Sequence, residues 1–325
     1  MRNISKILYQ SLSLNLENQT SAKVYSGPII NPWWLTGFSD AESSFKISIY
    51  KNKEYACGWQ VQAHFCIELH IKDLPLLVNI KNYLGVGTIC TRGNRLTAIY
   101  TVSSLEELTN VIIPHFTKYP LLTQKSADFL LFQKAVEIMV KKEHRTLEGV
   151  SKILNIRASM NKGLTDTLKS HFPDFIPVER PIVSLSDILD VHWVVGFCGG
   201  ESNFDIRISQ SNKYSNGHQV QLRFRVSQHN RDILLLTKLV EFFNCGSIDR
   251  LKTKQAAIFT VTSFKDINTI IISFFEKITL LGIKSLDFQD FNKVAKLISS
   301  GDHLTISGLE KIKSIKAGIN SKRTF

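Results

Sequence analysis

Two glutamates, Glu42 and Glu201, occupy corresponding positions 159 residues apart in a chain of 325 residues. Each lies in a matched stretch: Trp34-Leu35-Thr36-Gly37-Phe38-Ser39-Asp40-Ala41-Glu42-Ser43-Ser44-Phe45 returns as Trp193-Val194-Val195-Gly196-Phe197-Cys198-Gly199-Gly200-Glu201-Ser202-Asn203-Phe204. Asn31-Pro32 and Asp190 are helix start signals, so each stretch reads as a helix ending on its acid. A helix C-terminus is the negative pole of the macrodipole, where an uncompensated carboxylate is disfavoured by about 0.3–1 kcal/mol. One such acid reads as a solvated surface group, but two in register call for a shared purpose. Carboxylates, backbone carbonyls and water are the donors a hard divalent cation takes. A cation held there against a polyanion points to phosphodiester hydrolysis, since the metal activates water and stabilises the leaving oxygen.

The acids can act together only if the two helices meet. Gly37 and Ala41 are spaced i, i+4, as are Gly196 and Gly200. Glycine inside a helix costs about 1 kcal/mol relative to alanine, so close packing must offset it. Small residues on one face let two backbones approach, and the motif helices are expected to pack on each other along a pseudo-two-fold axis.

The 159-residue offset persists beyond the motif without insertion. His70 and Asp73 match His229 and Asp232, Lys125 and Asp128 match Lys284 and Asp287, His144, Thr146 and Gly149 match His303, Thr305 and Gly308, and Asn161 matches Asn320. A repeat of this length is the size of a small domain. Residues 29–165 and 190–325 read as two similar domains, with 166–189 as a linker and 1–28 as a disordered extension rather than a transit peptide. The recurring histidines fall away from the motif and read as structural.

After each helix, apolar residues alternate with polar ones. Phe45, Ile47 and Ile49 oppose Lys46, Ser48 and Tyr50; Val61, Ala63 and Phe65 oppose Gln62 and His64; the second half repeats the pattern at 204–209 and 220–227. These are half-buried strands. Leu74–Leu84 and Ile233–Phe243 are helical in period, Ala98–Val102 and Ala257–Val261 read as fourth strands, and mostly helical sequence follows each. The plan is α+β with one sheet face covered.

Forty-three per cent hydrophobic and 21% charged residues describe a globular chain. No apolar run approaches the 18 or so residues a membrane span needs, so no membrane partner is expected. The net charge of +12 favours a polyanion such as nucleic acid. Five cysteines without Cys-x-x-Cys spacing argue against a zinc site or a disulfide framework.

The doubled motif and the elements around it resemble the single-chain LAGLIDADG homing endonucleases encoded by fungal mitochondrial introns, over residues 30–322. The resemblance implies two pseudo-symmetric halves, each a curved four-stranded antiparallel sheet backed by helices and presented to double-stranded DNA. It implies a monomer, a mitochondrial setting, and Mg²⁺-dependent cleavage of both strands of a long non-palindromic site with short 3′ overhangs, Mn²⁺ substituting. By motif position Glu42 and Glu201 are the metal-binding acids and Ala41 and Gly200 lend backbone carbonyls. Gln228 falls near the catalytic water, a part its counterpart Leu69 cannot play, and Lys252 and Lys254 join the catalytic group. Strand parity puts Lys46, Ser48, Tyr50, Gln62, His64, Arg207, Ser209, Gln221, Arg223 and Arg225 on the DNA-facing side, with Arg92 and Arg95 at a hairpin. The same scaffold admits two other readings, a maturase bound to intron RNA and a DNA-binding derivative that no longer cuts.

The chain departs from the family pattern in the motif itself. Ser43 and Ser202 replace a glycine after the acid; a left-handed cap there would strain serine by about 1–2 kcal/mol, or serine would force another ending. Gly199 replaces an acid whose counterpart, Asp40, reads as structural.

Overall fold

The apolar faces of the alternating runs meet helices, and that contact sets the architecture of both halves. The computed structural model describes residues 29–183, 185, 189–251, 255–320 and 323; the expected extension at 1–28 and Lys252 and Lys254 lie outside them. In the first half, α1 (Pro32–Glu42) leads into β1 (Ser43–Lys51) and β2 (Trp59–His70), then α2 (Leu74–Leu84), β3 (Thr88–Arg92) and β4 (Thr97–Val102). A helical segment at 105–118, with a wider π-type turn inside it, precedes α3 (Lys125–Val140) and α4 (Leu147–Ala158). The second half repeats this as α5 (Val191–Glu201), β5 (Ser202–Gln210), β6 (His218–His229), α6 (Ile233–Phe243), β7 (Ser247–Arg250), β8 (Ala256–Val261), α7 (Lys284–Ser299) and α8 (Ile306–Ala317). Each sheet is antiparallel and four-stranded, in the orders β1-β2-β4-β3 and β5-β6-β8-β7.

The last residue of each repeated motif is the centre of its core. Phe45 lies 5.2–5.4 Å, ring centre to ring centre, from Phe65, Phe116, Phe129 and Phe132. Phe204 lies 5.3–5.6 Å from Phe224, Phe275, Phe288 and Phe291. One ring thus joins the strand after the motif helix to both backing helices, and truncating it to alanine removes about 3–5 kcal/mol.

The described part of the segment expected as a linker packs on the first half. It forms a short helix, Asp166–His171, whose Leu168 is buried, and Phe172 packs on Trp59. Arg180 then reaches buried Asp128, at 2.8 Å and 3.2 Å to its two oxygens. In the second half Arg323 performs this service for Asp287, at 2.9 Å. The two arginines are not at corresponding repeat positions, yet each neutralises a carboxylate that also accepts from the main chain of Asn161 or Asn320. A buried acid needs such a partner, and the chain supplies it from whichever segment passes by.

The halves also cap each other's helices. Asp73 of the first half accepts from the main-chain amide of Ile283 at 2.8 Å, just ahead of α7, and Asp232 of the second accepts from Gln124 at 2.7 Å, just ahead of α3. A carboxylate at a helix N-terminus satisfies amides that have no intrahelical acceptor. No helix among the described residues is long and apolar enough to cross a membrane.

Candidate active site and nucleic-acid interface

The motif helices begin where the capping residues predict: Asn31 accepts from Trp33 N at 2.9 Å, and Asp190 accepts from His192 N at 2.8 Å and Trp193 N at 3.2 Å. From there α1 and α5 run together. A Cβ placed on Gly37 would fall 2.0 Å from the Trp193 carbonyl oxygen, and one on Gly196 would fall 2.1 Å from that of Trp34. No side chain fits between these backbones, which brings the two helix ends to one place. There Ala41 and Glu42 of the first half lie directly against Gly200 of the second: an added Cβ at Gly200 would stand 2.5 Å from Ala41 Cβ and 3.0 Å from Glu42 Oε1.

The charge of Glu42 bears on the proton affinity of Glu201. Burial, and then the charge of Glu42, pushes Glu201 up to about 7 from an ordinary 4.5, against a hydrogen bond from Gln228 and the charges of Lys125 and Lys284. Burial also raises Glu42, while Lys125 and Lys284 pull it down. These lysines lie beneath the acids: Lys125 Nζ donates to the Ser39 carbonyl at 2.8 Å and Lys284 Nζ to that of Ser202 at 2.7 Å. Helix-end carbonyls and lysine ammonium groups thus partly neutralise one another next to the acids. Both lysines belong to the matched pairs of the repeat, the one signal that marked them.

Two crowded carboxylates beside the Ala41 and Gly200 carbonyls form an all-oxygen donor set of the kind hard divalent cations take. Among the described residues no three His, Cys, Asp or Glu side chains gather into a metal cage.

The two sides of the site are unequal. Gln228 hydrogen-bonds Glu201, whereas Leu69 stands at the equivalent place near Glu42. Asp40 fills its position with contacts to Leu122 N at 2.8 Å, Thr123 N at 3.1 Å and Thr123 Oγ1 at 2.6 Å, whereas its counterpart is Gly199. On the side lacking both polar groups a cavity of about 590 Å³ opens, lined by Glu42, Leu69, Gly199, Gly200 and Lys284 among others.

Of the two outcomes expected at the serines, strain or another ending, the structure has the second. Ser43 (φ −87°, ψ 167°) and Ser202 (φ −82°, ψ 157°) are extended, because the strand starts directly after the acid with no left-handed residue between. Each hydroxyl instead donates back to the helix, Ser43 Oγ to Ser39 O at 2.7 Å and Ser202 Oγ to Cys198 O at 2.5 Å. Serine is a cap here, and extended backbone admits it without a Cβ penalty.

The base-reading candidates lie on the sheet faces opposite the cores. Lys46 pairs across the strands with His64 and Ser48 with Gln62; Tyr50 is exposed next along β1. Arg207 pairs with Gln221, Asp205 with Arg223, and Asn203 with Arg225, while Ser209 follows on β5. Burial and the neighbouring Lys46 charge lower the proton affinity of His64. Arg92 and Arg95 are exposed at the β3–β4 turn. Asp205, absent from the sequence-derived candidates, holds both Arg223 and Arg225. Only its place on the polar strand face marked it beforehand.

His144 and His303 lie beside a different recurring structure. Thr146 and Thr305 cap the helices that follow, accepting from Gly149 N at 3.1 Å and Gly308 N at 3.0 Å.

Comparison with known proteins agrees with this geometry. The sequence model of the family described as LAGLIDADG endonuclease matches residues 35–136 and 194–295. "Probable intron-encoded endonuclease 2" of Neurospora crassa is 42% identical over 326 residues, covering 97% of this chain and 69% of that protein. "Probable intron-encoded endonuclease 3" of the same organism is 44% identical over 285 residues, covering 87% of this chain and 53% of the relative, so the chain spans about half that protein's length. Among solved structures, the I-SmaMI LAGLIDADG homing endonuclease bound to cleaved DNA superposes with a TM-score of 0.88 at 39% identity, covering 91% of this chain and 99% of that one. I-SmaMI bound to uncleaved DNA target in the presence of calcium ions gives 0.87 at 39% identity, over 90% and 99%. With two family repeats in register and both motif acids at one helix junction, the chain belongs to the LAGLIDADG endonuclease family.

Proposed function

We propose that this chain is a site-specific homing endonuclease that makes a Mg²⁺-dependent double-strand break in a long, non-palindromic DNA site, leaving short 3′ overhangs, with Mn²⁺ able to replace Mg²⁺. The observation that carries the proposal is the junction at which Glu42 lies against Gly200 while Glu201 shares its electrostatic field. A divalent cation, when bound, supplies an activated water and a counter-charge for the leaving oxygen. Glu42 and Glu201, with the carbonyls of Ala41 and Gly200, hold the cation site. Gln228 orients the Glu201 carboxylate through its hydrogen bond. The two sheets present Lys46, Arg207, Gln62 and Gln221 to the duplex, and one chain supplies both acids, so it acts as a monomer. Fungal intron-encoded relatives support a mitochondrial setting.

Glu42→Gln and Glu201→Gln test the reading. Each is expected to lower double-strand cleavage by at least about a hundredfold with duplex affinity kept within a few-fold. Parent-rate cutting of both strands by either variant removes that acid from the site. Tighter binding to intron RNA than to any duplex would favour the maturase reading, and duplex binding without cleavage in Mg²⁺ or Mn²⁺ the binding-protein reading.

A further inference from the structure

Asp205 is an acid on a surface that meets a polyanion. Its counterpart in the first half is Lys46, so the cross-strand pair Lys46–His64 becomes Asp205–Arg223 in the second half. A sheet serving only to neutralise phosphate gains nothing from that exchange. Arg223 Nε donates to Asp205 Oδ2 at 2.7 Å, and Arg223 Nη2 donates to the same oxygen. Arg225 Nη2 stands 3.6 Å from it. All three groups are about three-quarters buried, with exposures of 24% for Asp205, 26% for Arg223 and 29% for Arg225, so the pair is held rather than swept by solvent.

Gripping a guanidinium through Nε and one terminal nitrogen fixes its plane and leaves other N–H groups to donate elsewhere. In the major groove an arginine donates bidentately to O6 and N7 of guanine, and a carboxylate accepts from the N4 amino group of cytosine. The contacts above all fall on Oδ2, so Oδ1 is the oxygen that can accept from a base. The two side chains thus carry complementary parts of one base-pair code.

We propose that Asp205 and Arg223 form a specificity-determining pair that selects a G·C base pair in the part of the target read by the second half, with Asp205 also positioning Arg223. This rests on the duplex-DNA reading above. Asp205 is four residues beyond Glu201, so the selected pair lies toward the cut rather than at the far end of the target.

The test is selection by the full chain, in Ca²⁺, from a duplex library randomised across the target, comparing the parent with Asp205→Asn and Arg223→Gln. The parent is expected to enrich G·C at one position by roughly tenfold or more. Asp205→Asn should lose that enrichment at the same position only, while binding of unrelated duplex rises because a negative charge has gone, a combination that mere support of the sheet does not produce. Arg223→Gln should lose preference at that position too, and decides the matter if Asp205→Asn does not fold. An unchanged profile in both variants, or equal loss of preference at every position, overturns the pair. A parent that enriches no duplex sinks the pair and the proposed function together, whereas a selective parent with indifferent variants sinks the pair alone.

Discussion

The indole of Trp193 donates to Asp40 Oδ2 at 2.9 Å, so a side chain of the second half completes a buried hydrogen-bond set built by Leu122 and Thr123 in the first. The pseudo-symmetric Trp34 Nε1 is buried without a partner among the described residues, because Gly199 stands where its acid would be. Asp40→Ala would strip an acceptor from two amides, a hydroxyl and the indole at once. Stability should fall by about 3–5 kcal/mol, read from the urea midpoint, while Asp40→Asn should lose less because it keeps an acceptor and the shape. Parent-like unfolding of Asp40→Ala would mean that the network does not hold the halves together.

Three glycines of one helix should respond differently to alanine. At Gly199 an added Cβ meets only Phe38 carbons at 3.6 Å and beyond, ordinary contact, so Gly199→Ala should stabilise by up to about 1 kcal/mol through helix propensity. At Gly196 it would strike the Trp34 carbonyl, and at Gly200 it would strike Ala41. Gly196→Ala should cost about 3 kcal/mol or more, since backbone must move, and Gly200→Ala should disturb the acid site. Thermal melts of the three variants rank them, and an equal response would refute the packing of α1 on α5.

Replacing both serines with glycine removes the two hydroxyl caps and adds backbone freedom to an extended segment. The double variant Ser43→Gly, Ser202→Gly is expected to cut no faster than the parent and to be less stable by about 1–3 kcal/mol. A faster, equally stable double variant would show that the serines impede the site.

Glu201 makes stability depend on pH in a definite direction. Its proton affinity is raised to about 7 in the folded chain, so between about 4.5 and 7 the folded state binds more protons than the unfolded state. Stability from this group is therefore greatest below about 4.5, declines as pH rises and is lost above 7. The metal-free protein should lose on the order of 1–3 kcal/mol through this group between pH 5 and 8, and Glu201→Gln should flatten that part of the profile. Mg²⁺ should restore stability at pH 8 and do little at pH 5, where it competes with a proton. Melts with Mg²⁺ and with EDTA at both pH values check this; the same slope in parent and Glu201→Gln would contradict the assignment.

Periodicity and repetition determined much of this protein. An unbroken 159-residue offset fixed two halves, alternation at Phe45–Ile49 and Phe204–Ile208 fixed which strand faces turn to the core, and Asn31, Pro32 and Asp190 fixed where the motif helices start. These features are local, and local preference acts over a few residues. The paired-glycine spacing carried one long-range message as well, because a small-residue face has use only against another backbone.

Tertiary structure alone decided how the ends of those elements are satisfied. A bond from Asp73 to Ile283 spans 210 residues, and the repeat that matched Asp73 to Asp232 did not say what either holds; Arg180 and Arg323 reach equivalent carboxylates from non-equivalent places, which no sequence period records. The ending at Ser43 and Ser202 was open in the sequence for a related reason: a residue after a helix can enter a strand at once or pass through a left-handed turn, and the sheet's register with β2 and β6 chooses between them. Asp205 was visible only as one polar residue on a strand. Its grip on Arg223 exists because antiparallel pairing sets the two side by side, and pairing belongs to the folded chain.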